Sequence, residues 1–301
     1  MSERVCAVVV SYNRRPLLGE CLRALQAQSR PVDAILVVDN ASTDDTRAML
    51  RAEFPALPVL ALTTNCGGAG GFHAGMKWAY REGFDWIWVM DDDGCPAPDC
   101  LEQLLVYGRP NVILEPYQQE DNGRVYGFYM WRNNYIDVTT EVMAGCPPTD
   151  GFPLFTFVGP LIHREVVARA GLPNKDFFIC FDDFEYAFRI THRTDAAIMF
   201  VPEAQFFHDF SRKSQPQPVR SFGRRSVRSP RPAWRLYYDP RNELYTLLRV
   251  GHGAGDFPAY FKRQLRSLLG ELVYEPDGRE RARMRLLGMR DGAIGRLGRR
   301  V

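Results

Sequence analysis

The stretch that most constrains this chain is Phe84-Asp85-Trp86-Ile87-Trp88-Val89-Met90-Asp91-Asp92-Asp93-Gly94. Trp86 to Met90 is a short, wholly apolar run, the pattern of a strand buried on both faces. Polarity then inverts, and three carboxylates follow in a row. Asp93-Gly94, with Pro96 and Pro98 beyond it, marks a turn and sets the carboxylates at the carboxyl end of the strand. In an open α/β sheet, ligands bind at that edge. Three adjacent aspartates repel one another, and those at i and i+2 of an extended turn point the same way, which suits a hard cation such as Mg2+ or Mn2+. A solvated acidic turn is the plainer alternative; the buried aromatic strand leading into it weighs against that.

The residues upstream repeat the arrangement. Val5 to Val10 predicts a buried strand ending at Ser11-Tyr12-Asn13, and Leu17, Leu18, Cys21, Leu22 and Leu25 follow at helical spacing. Ile35 to Val38 closes on Asp39-Asn40-Ala41-Ser42, where Ser42 and Asp45 resemble a capping arrangement for a helix to about Phe54. A third strand, Val59 to Leu62, ends at Thr64-Asn65. This βα alternation over the first 95 residues predicts an α/β fold with a parallel sheet of nucleotide-binding type. Parallel strands share a direction, so Asn13, Asp39, Asn65 and Asp91 to Asp93 are expected along one sheet edge. Helix 97–106 and a strand at Val112-Ile113-Leu114 extend the pattern.

The run Asn65-Cys66-Gly67-Gly68-Ala69-Gly70-Gly71-Phe72-His73 is neither a dinucleotide fingerprint, since His73 stands at the last glycine position counted from Gly68, nor a P-loop, since Met76 separates Gly75 from Lys77. It leaves a backbone open to close approach and a helix N-terminus favourable to anions, or a tight turn with no ligand. Short β-prone pieces, Val125 to Trp131 and Tyr135 to Thr139, suggest an irregular cover for the sheet edge, with a strand-like run at Phe155 to Ile162 beyond. Phe177 to Phe181 predicts another apolar strand, running into Asp182-Asp183 at a helix start. Asp182 can cap that helix and Asp183 complement its dipole; a second acid beside aromatic residues is also placed to act as a general base. His208 closes a last apolar run and gains interest only beside a metal.

Net charge is only +2, so the overall balance gives no reason to expect nucleic acid. The cysteines are seven, scattered and without C-x-x-C, which argues against a disulfide framework or structural zinc site and for a reducing compartment. No run approaches the roughly 20 apolar residues that cross a bilayer. A cytoplasmic protein, or one resting on the inner face of the cell membrane, is expected. Residues 211–232 are Arg-, Ser- and Pro-rich and are expected to form a basic flexible loop, either a lid over the diphosphate or a disordered stretch exposed to solvent. Helices are expected over Trp234 to Leu248, 257–274 and 278–290, the last two suited to packing on the core or lying on a membrane.

Taken in order, Val-Ser-Tyr-Asn-Arg, Val-Asp-Asn-Ala-Ser-Thr-Asp, Asn-Cys-Gly-Gly-Ala-Gly-Gly-Phe, Met-Asp-Asp-Asp-Gly, Asp-Asp-Phe-Glu-Tyr and the later His208 resemble a family-2 glycosyltransferase of GT-A fold, over roughly residues 4–210. They look most like its bacterial galactofuranosyl- and rhamnosyltransferase branch. The resemblance implies a glycosyltransferase domain over 1–210, the basic loop, and a helical section over 233–301. It implies that Asp39, with Asn13, Arg14 and Asn65, holds the base and ribose of a nucleotide sugar, that Asp91, Asp93 and His208 hold Mn2+ or Mg2+ at the diphosphate, and that Asp92 shapes the turn. Asp183 would be the base, supported by Asp182, in an inverting transfer to a hydroxyl of a surface glycan or a polyprenol-linked acceptor. UDP-galactofuranose and dTDP-rhamnose are the implied donors. Two rivals are a sugar nucleotidyltransferase, whose Gly-x-Gly-Thr-Arg-like loop is missing after the first strand, and a catalytically silent nucleotide-sugar-binding protein. Trp131, Tyr135 and Phe157 are candidates for stacking on acceptor sugars, or simply core.

Overall fold

The computed structural model describes residues 3–119, 149–150, 154–208, 217–221, 224–228, 231–251 and 255–301. Its first half alternates β1 (Val5–Ser11), α1 (Arg15–Gln26), β2 (Ala34–Asp39), α2 (Thr46–Glu53), β3 (Val59–Ala61), α3 (Gly67–Arg81) and β4 (Trp86–Asp91). Then come β5 (Gly94–Pro96), α4 (Cys100–Val106), β6 (Val112–Gln119), β7 (Thr149–Asp150), β8 (Leu161–His163), α5 (Arg164–Ala170), α6 (Asp182–Arg193) and β9 (Ala197–His208). One sheet takes the order β3-β2-β1-β4-β8-β6-β9-β5, with β7 also on β9. The β1–β2, β2–β3, β1–β4 and β6–β9 pairs are parallel, whereas β8 runs antiparallel between β4 and β6.

Period-two alternation explains why helices cover both faces. Val5, Ala7, Val9, Trp86 and Trp88 point to one side, where they pack with Leu18, Leu22 and Leu101 of α1 and α4. Cys6, Val8, Val10, Ile87 and Val89 point to the other, against Phe72 and Met76 of α3 and Tyr186 of α6. The glycines of α3 let it lie close: a Cβ on Gly75 would come within 2.3 Å of Val8. Burying both faces is what makes these strands continuous apolar runs.

Several local expectations differ from the structure. Asp45 precedes α2 without a side-chain cap; Asp44 Oδ1 instead accepts the Thr46 N–H at 3.1 Å, and Ser42 Oγ accepts the Asn13 N–H at 3.1 Å. Of the run 155–162 only Leu161 and Ile162 are strand, within β8. Phe177 to Phe181 is no strand either. Lys175–Phe177 is a 3-10 turn, and Phe178, Cys180 and Phe181 follow at φ 67°, 67° and 65°. Apolar content alone does not make a strand when no neighbour pairs with it; these carbonyls have other partners, described below. β6 runs on through Glu115-Pro116-Tyr117-Gln118-Gln119, well past the expected Leu114.

Within 211–232 the described residues form an antiparallel hairpin, β10 (Gln217–Ser221) with β11 (Arg224–Arg228). The short strands expected between 125 and 139, with Trp131 and Tyr135, lie outside the described residues. Phe157 is core, 4.6 Å from the Phe72 ring centre and 6.2 Å from that of Tyr186. Three helices end the chain: α7 (Arg235–Arg249), α8 (Asp256–Tyr274) and α9 (Gly278–Ala293). Among the described residues no helix is long and apolar enough to cross a membrane.

Candidate active site

Strand register delivers the polar ends to one rim. Asp39 lies opposite Ser11, and Asp91 opposite Val10, on the two strands flanking β1. The turn after β4 then feeds β5, whose Gly94 pairs with His208 of β9. That pairing carries a histidine from 115 residues downstream to the aspartates. Asp91, Asp93 and His208 each offer one donor atom, and the three atoms lie within 4.8 Å of one another. His208 Nε2 is 3.0 Å from Asp93 Oδ1, with both side chains almost wholly buried. Two carboxylate oxygens and an imidazole nitrogen form a donor set that fits Mn2+ or Mg2+.

Asp92 turns the other way. Arg14 Nη1 donates to Asp92 Oδ1 at 3.0 Å and to Asp93 Oδ2 at 3.2 Å, tying the loop after β1 to the acidic turn. Burial pushes the Asp92 carboxyl up to about 6, against the pull of the Arg14 charge. Asn13, at φ 54°, braces the next loop: its Oδ1 accepts the Thr43 N–H at 2.7 Å and the Asp44 N–H at 3.3 Å. Asp39 is fully buried; its Oδ1 accepts the Ser42 N–H at 2.9 Å and its Oδ2 is paired with the half-exposed Arg47.

Asn65 braces the turn into α3. Its Oδ1 accepts the Gly67 N–H at 2.8 Å, while Asn40 Oδ1 accepts the Cys66 N–H at 2.9 Å. The Ala69 N–H goes to the Phe178 carbonyl at 3.2 Å. The start of α3 is thus substantially satisfied from within the protein, which favours the tight-turn reading of the glycine run over an anion site. Gly67, at φ 72°, is obligatory: a Cβ there would fall 1.8 Å from the Phe178 oxygen. The glycine-rich turn and the 177–181 loop are therefore one interlocked unit.

That loop presents the second acid pair. The residue ahead of α6, Phe181, is left-handed, and no side chain caps the helix there, so Asp182 is its first residue rather than its cap. Asp183 Oδ1 accepts the Phe184 N–H at 2.8 Å. Burial pushes the Asp183 carboxyl up to about 7, the Phe184 and Phe157 N–H groups opposing and the Asp91 charge adding to the rise. Asp182 is held well above the carboxylate range by burial and by the charge of Asp183, and Asp91 acts on it too. The charge of Asp91 thus acts on both Asp182 and Asp183. Both carboxyls of this buried pair are raised, as is usual where an acid and a base are tuned by burial and like charge.

Four supporting residues were missed in the sequence. Arg241 and Asn242, buried in α7, donate to the carbonyls that a strand would have paired: Arg241 Nη2 to Phe177 O at 2.6 Å, and Asn242 Nδ2 to Ile179 O at 3.0 Å and Cys180 O at 2.7 Å. They hold three left-handed, non-glycine residues directly ahead of the acid pair. Glu115 and Gln118 on β6 grip the segment before β8. Thr156 donates its N–H to Glu115 Oε1 at 3.2 Å, and Gln118 Nε2 donates to Val158 O at 2.8 Å. Phe157, between them, gives its N–H to Asp183. Burial raises the Glu115 carboxyl well above its usual range, against the hydrogen bonds from Thr156 and Gln118. The available signal was an acid directly after an apolar run, as at Asp91 and Asp182.

Comparison with known proteins follows the same chemistry. The model of glycosyl transferase family 2 matches residues 6–138. The galactofuranosyltransferase GlfT1 of Mycobacterium tuberculosis is 30% identical over 263 residues, covering 83% of this chain and 84% of its own. The chain belongs to glycosyl transferase family 2. Another relative is the dTDP-rhamnosyl transferase RfbF of Shigella flexneri, 23% identical over 256 residues, with 84% and 82% of the two chains covered. Among solved structures, the mannosyltransferase PcManGT of Pyrobaculum calidifontis, in complex with GDP-Man and Mn2+, superposes at a TM-score of 0.54 with 18% identity, over 97% of this chain and 86% of that one. The architecture is the GT-A type of family 2, as the motif order implied.

Proposed function

We propose that this family-2 glycosyltransferase is an inverting, cation-dependent enzyme that moves galactofuranose or rhamnose from UDP-galactofuranose or dTDP-rhamnose to a hydroxyl of a surface-glycan or polyprenol-linked acceptor. The observation that carries the reading is the rim itself: Asp91, Asp93 and His208 on one side, and on the other a carboxyl near neutrality that feels the charge of Asp91. The named relatives and the GDP-Man and Mn2+ complex of a structural neighbour support the donor class and the cation.

In this mechanism Asp39, Asn13 and Arg14 take the nucleoside end of the donor, and Asp91, Asp93 and His208 hold Mn2+ or Mg2+. Bound there, the cation supplies charge neutralisation at the departing diphosphate. Asp92 keeps Arg14 against the acidic turn and so fixes the turn's shape. Asp183 removes the proton of the acceptor hydroxyl, whose oxygen attacks the anomeric carbon opposite the leaving group, and the configuration inverts. Asp182 stays protonated and keeps a second negative charge away from the base. Asn65 contributes by bracing the turn into α3, one step removed from the donor.

A thermal-shift panel of nucleotide sugars with and without Mn2+, followed by donor hydrolysis, tests the reading. UDP-galactofuranose or dTDP-rhamnose should raise the melting temperature only with the cation and then be hydrolysed. Equal shifts without any cation would remove the proposed metal role. Binding with no hydrolysis and no transfer to any glycan or lipid-linked hydroxyl would return the chain to a silent sugar-nucleotide binder.

A further inference from the structure

The pair α8–α9 carries apolar side chains on the side turned to water as well as on the side packed against the protein. On α8 the residues turned into the protein include Gln264, at 4% exposure, and Glu271, at 3%. The outward stripe is Phe261, Leu265, Leu269 and Leu272, at 51%, 57%, 44% and 48% exposure. These positions recur at helical spacing, so the stripe is continuous along the helix. On α9 the buried Arg285 reaches inward to Glu271 and, through Nη1, to Gln264 Oε1 at 2.5 Å, while Leu286 is half exposed. These polar groups tie the two helices to each other, Tyr260, Met284, Leu287 and Met289 pack them on the protein, and a row of other apolar side chains is left outside.

Between the helices the outward side forms an open groove of about 540 Å³, floored by Leu268, Leu272, Ala282, Leu286 and Leu287 and edged by Arg279, Arg283 and Arg290. Lys262 and Arg266 are exposed on α8, where no carboxylate is exposed between 257 and 274, and Glu280 is the exposed acid of α9. An apolar stripe with a guanidinium edge matches a surface that offers hydrocarbon below and phosphate above. A second copy meeting this face about a two-fold axis would set the arginines against their own counterparts.

We infer that the outward face of α8 and α9 is a docking surface for an anionic lipid membrane, with the leucines entering the interface and the arginines meeting lipid phosphates. The inference goes beyond the transfer reaction and stands on this face alone, so donor binding and hydrolysis read out separately. The test is flotation of the full chain with phosphatidylcholine vesicles, with or without about one-third phosphatidylglycerol, at low and high salt. Binding to the anionic vesicles should be at least about tenfold tighter than to the neutral ones and should weaken with salt. The combined substitution Leu265→Glu, Leu269→Glu and Leu272→Glu should abolish it while leaving Mn2+-dependent donor hydrolysis unchanged. Should that protein fold poorly, Arg279→Gln with Arg283→Gln, which leaves the apolar stripe intact, should lower anionic binding about tenfold or more. Failure to float with anionic vesicles, equal binding to neutral ones, or binding indifferent to both sets of substitutions would overturn the inference. So would a dimer in solution that the leucine substitutions dissolve.

Discussion

The sheet half and the closing helix pair solve burial in opposite senses. In the sheet, apolar side chains fill both faces and the acids are collected at the rim, where Asp91 and Asp93 cluster with His208 and the Asp91 charge acts on Asp182 and Asp183. In α8 and α9, Arg285, Glu271 and Gln264 lie inside beside Tyr260, while Phe261, Leu265, Leu269, Leu272 and Leu286 lie outside. A charged cluster is therefore not by itself a functional sign. Around Asp182 the charges of Asp183 and Asp91 are of like sign and add to the rise that burial causes; between the helices, Arg285 meets the opposite charge of Glu271. The difference lies in the sign of the neighbours, and substitutions that change it separate the two.

The largest effect is expected at the rim. Asp183→Asn should lower the transfer rate by about 10² to 10⁴ fold, the usual worth of a general base, with nucleotide affinity unchanged by calorimetry. A near-normal rate would remove Asp183 from that role. Between the helices, Glu271→Ala leaves Arg285 buried without its carboxylate and should cost about 3 kcal/mol in urea unfolding. The double change Glu271→Leu with Arg285→Leu should recover most of that, because an apolar pair removes the desolvation penalty as well as the attraction. If the double variant were the less stable one, the charges would be contributing net stability.

Asn242→Ala should cost about 2 kcal/mol, since it strands buried carbonyls, and should lower kcat more than it raises KM for the donor. Loss of stability with kcat intact would show that the left-handed loop ahead of Asp182 holds without α7. Asp93→Ala should weaken cation-dependent nucleotide binding by about tenfold or more, as even outer contacts of a metal are worth that much. Equal binding with and without Mn2+ in the parent protein would break the metal assignment.

The smallest effect is the pH limb. Asp183 acts as a base only when ionised, and burial raises its carboxyl to about 7. The rate should therefore rise from pH 6 and level off above 7, and about half of the plateau remains at the midpoint. Saturating cation should move the midpoint lower, because it offsets the Asp91 charge that adds to the rise. A rate that falls across this range would mean that the protonated form is the active one.

Much of the molecule was legible before folding. Residues 5–10, 35–38 and 86–90 are apolar because their strands are covered on both faces, and parallel strands must end on the same side, so Asn13, Asp39 and Asp91 to Asp93 belonged together. The glycine run and the stretch 177–181 were harder. Both look like isolated local patterns, yet Gly67 is small because the Phe178 carbonyl occupies its place, and 177–181 is no strand because α7 takes its carbonyls.

Local periodicity determined which segments are buried and which way the strands point, because each of those depends on neighbours a few residues away. What it could not determine is which partner each polar group meets. His208 joins Asp93 only through the β5–β9 pairing, Asp183 approaches neutrality only within this crowd of buried groups, and the charges of α8 and α9 face inward only because they find one another there. Those outcomes belong to the tertiary structure, since desolvation and Coulomb attraction act through space and depend on groups far apart in the chain.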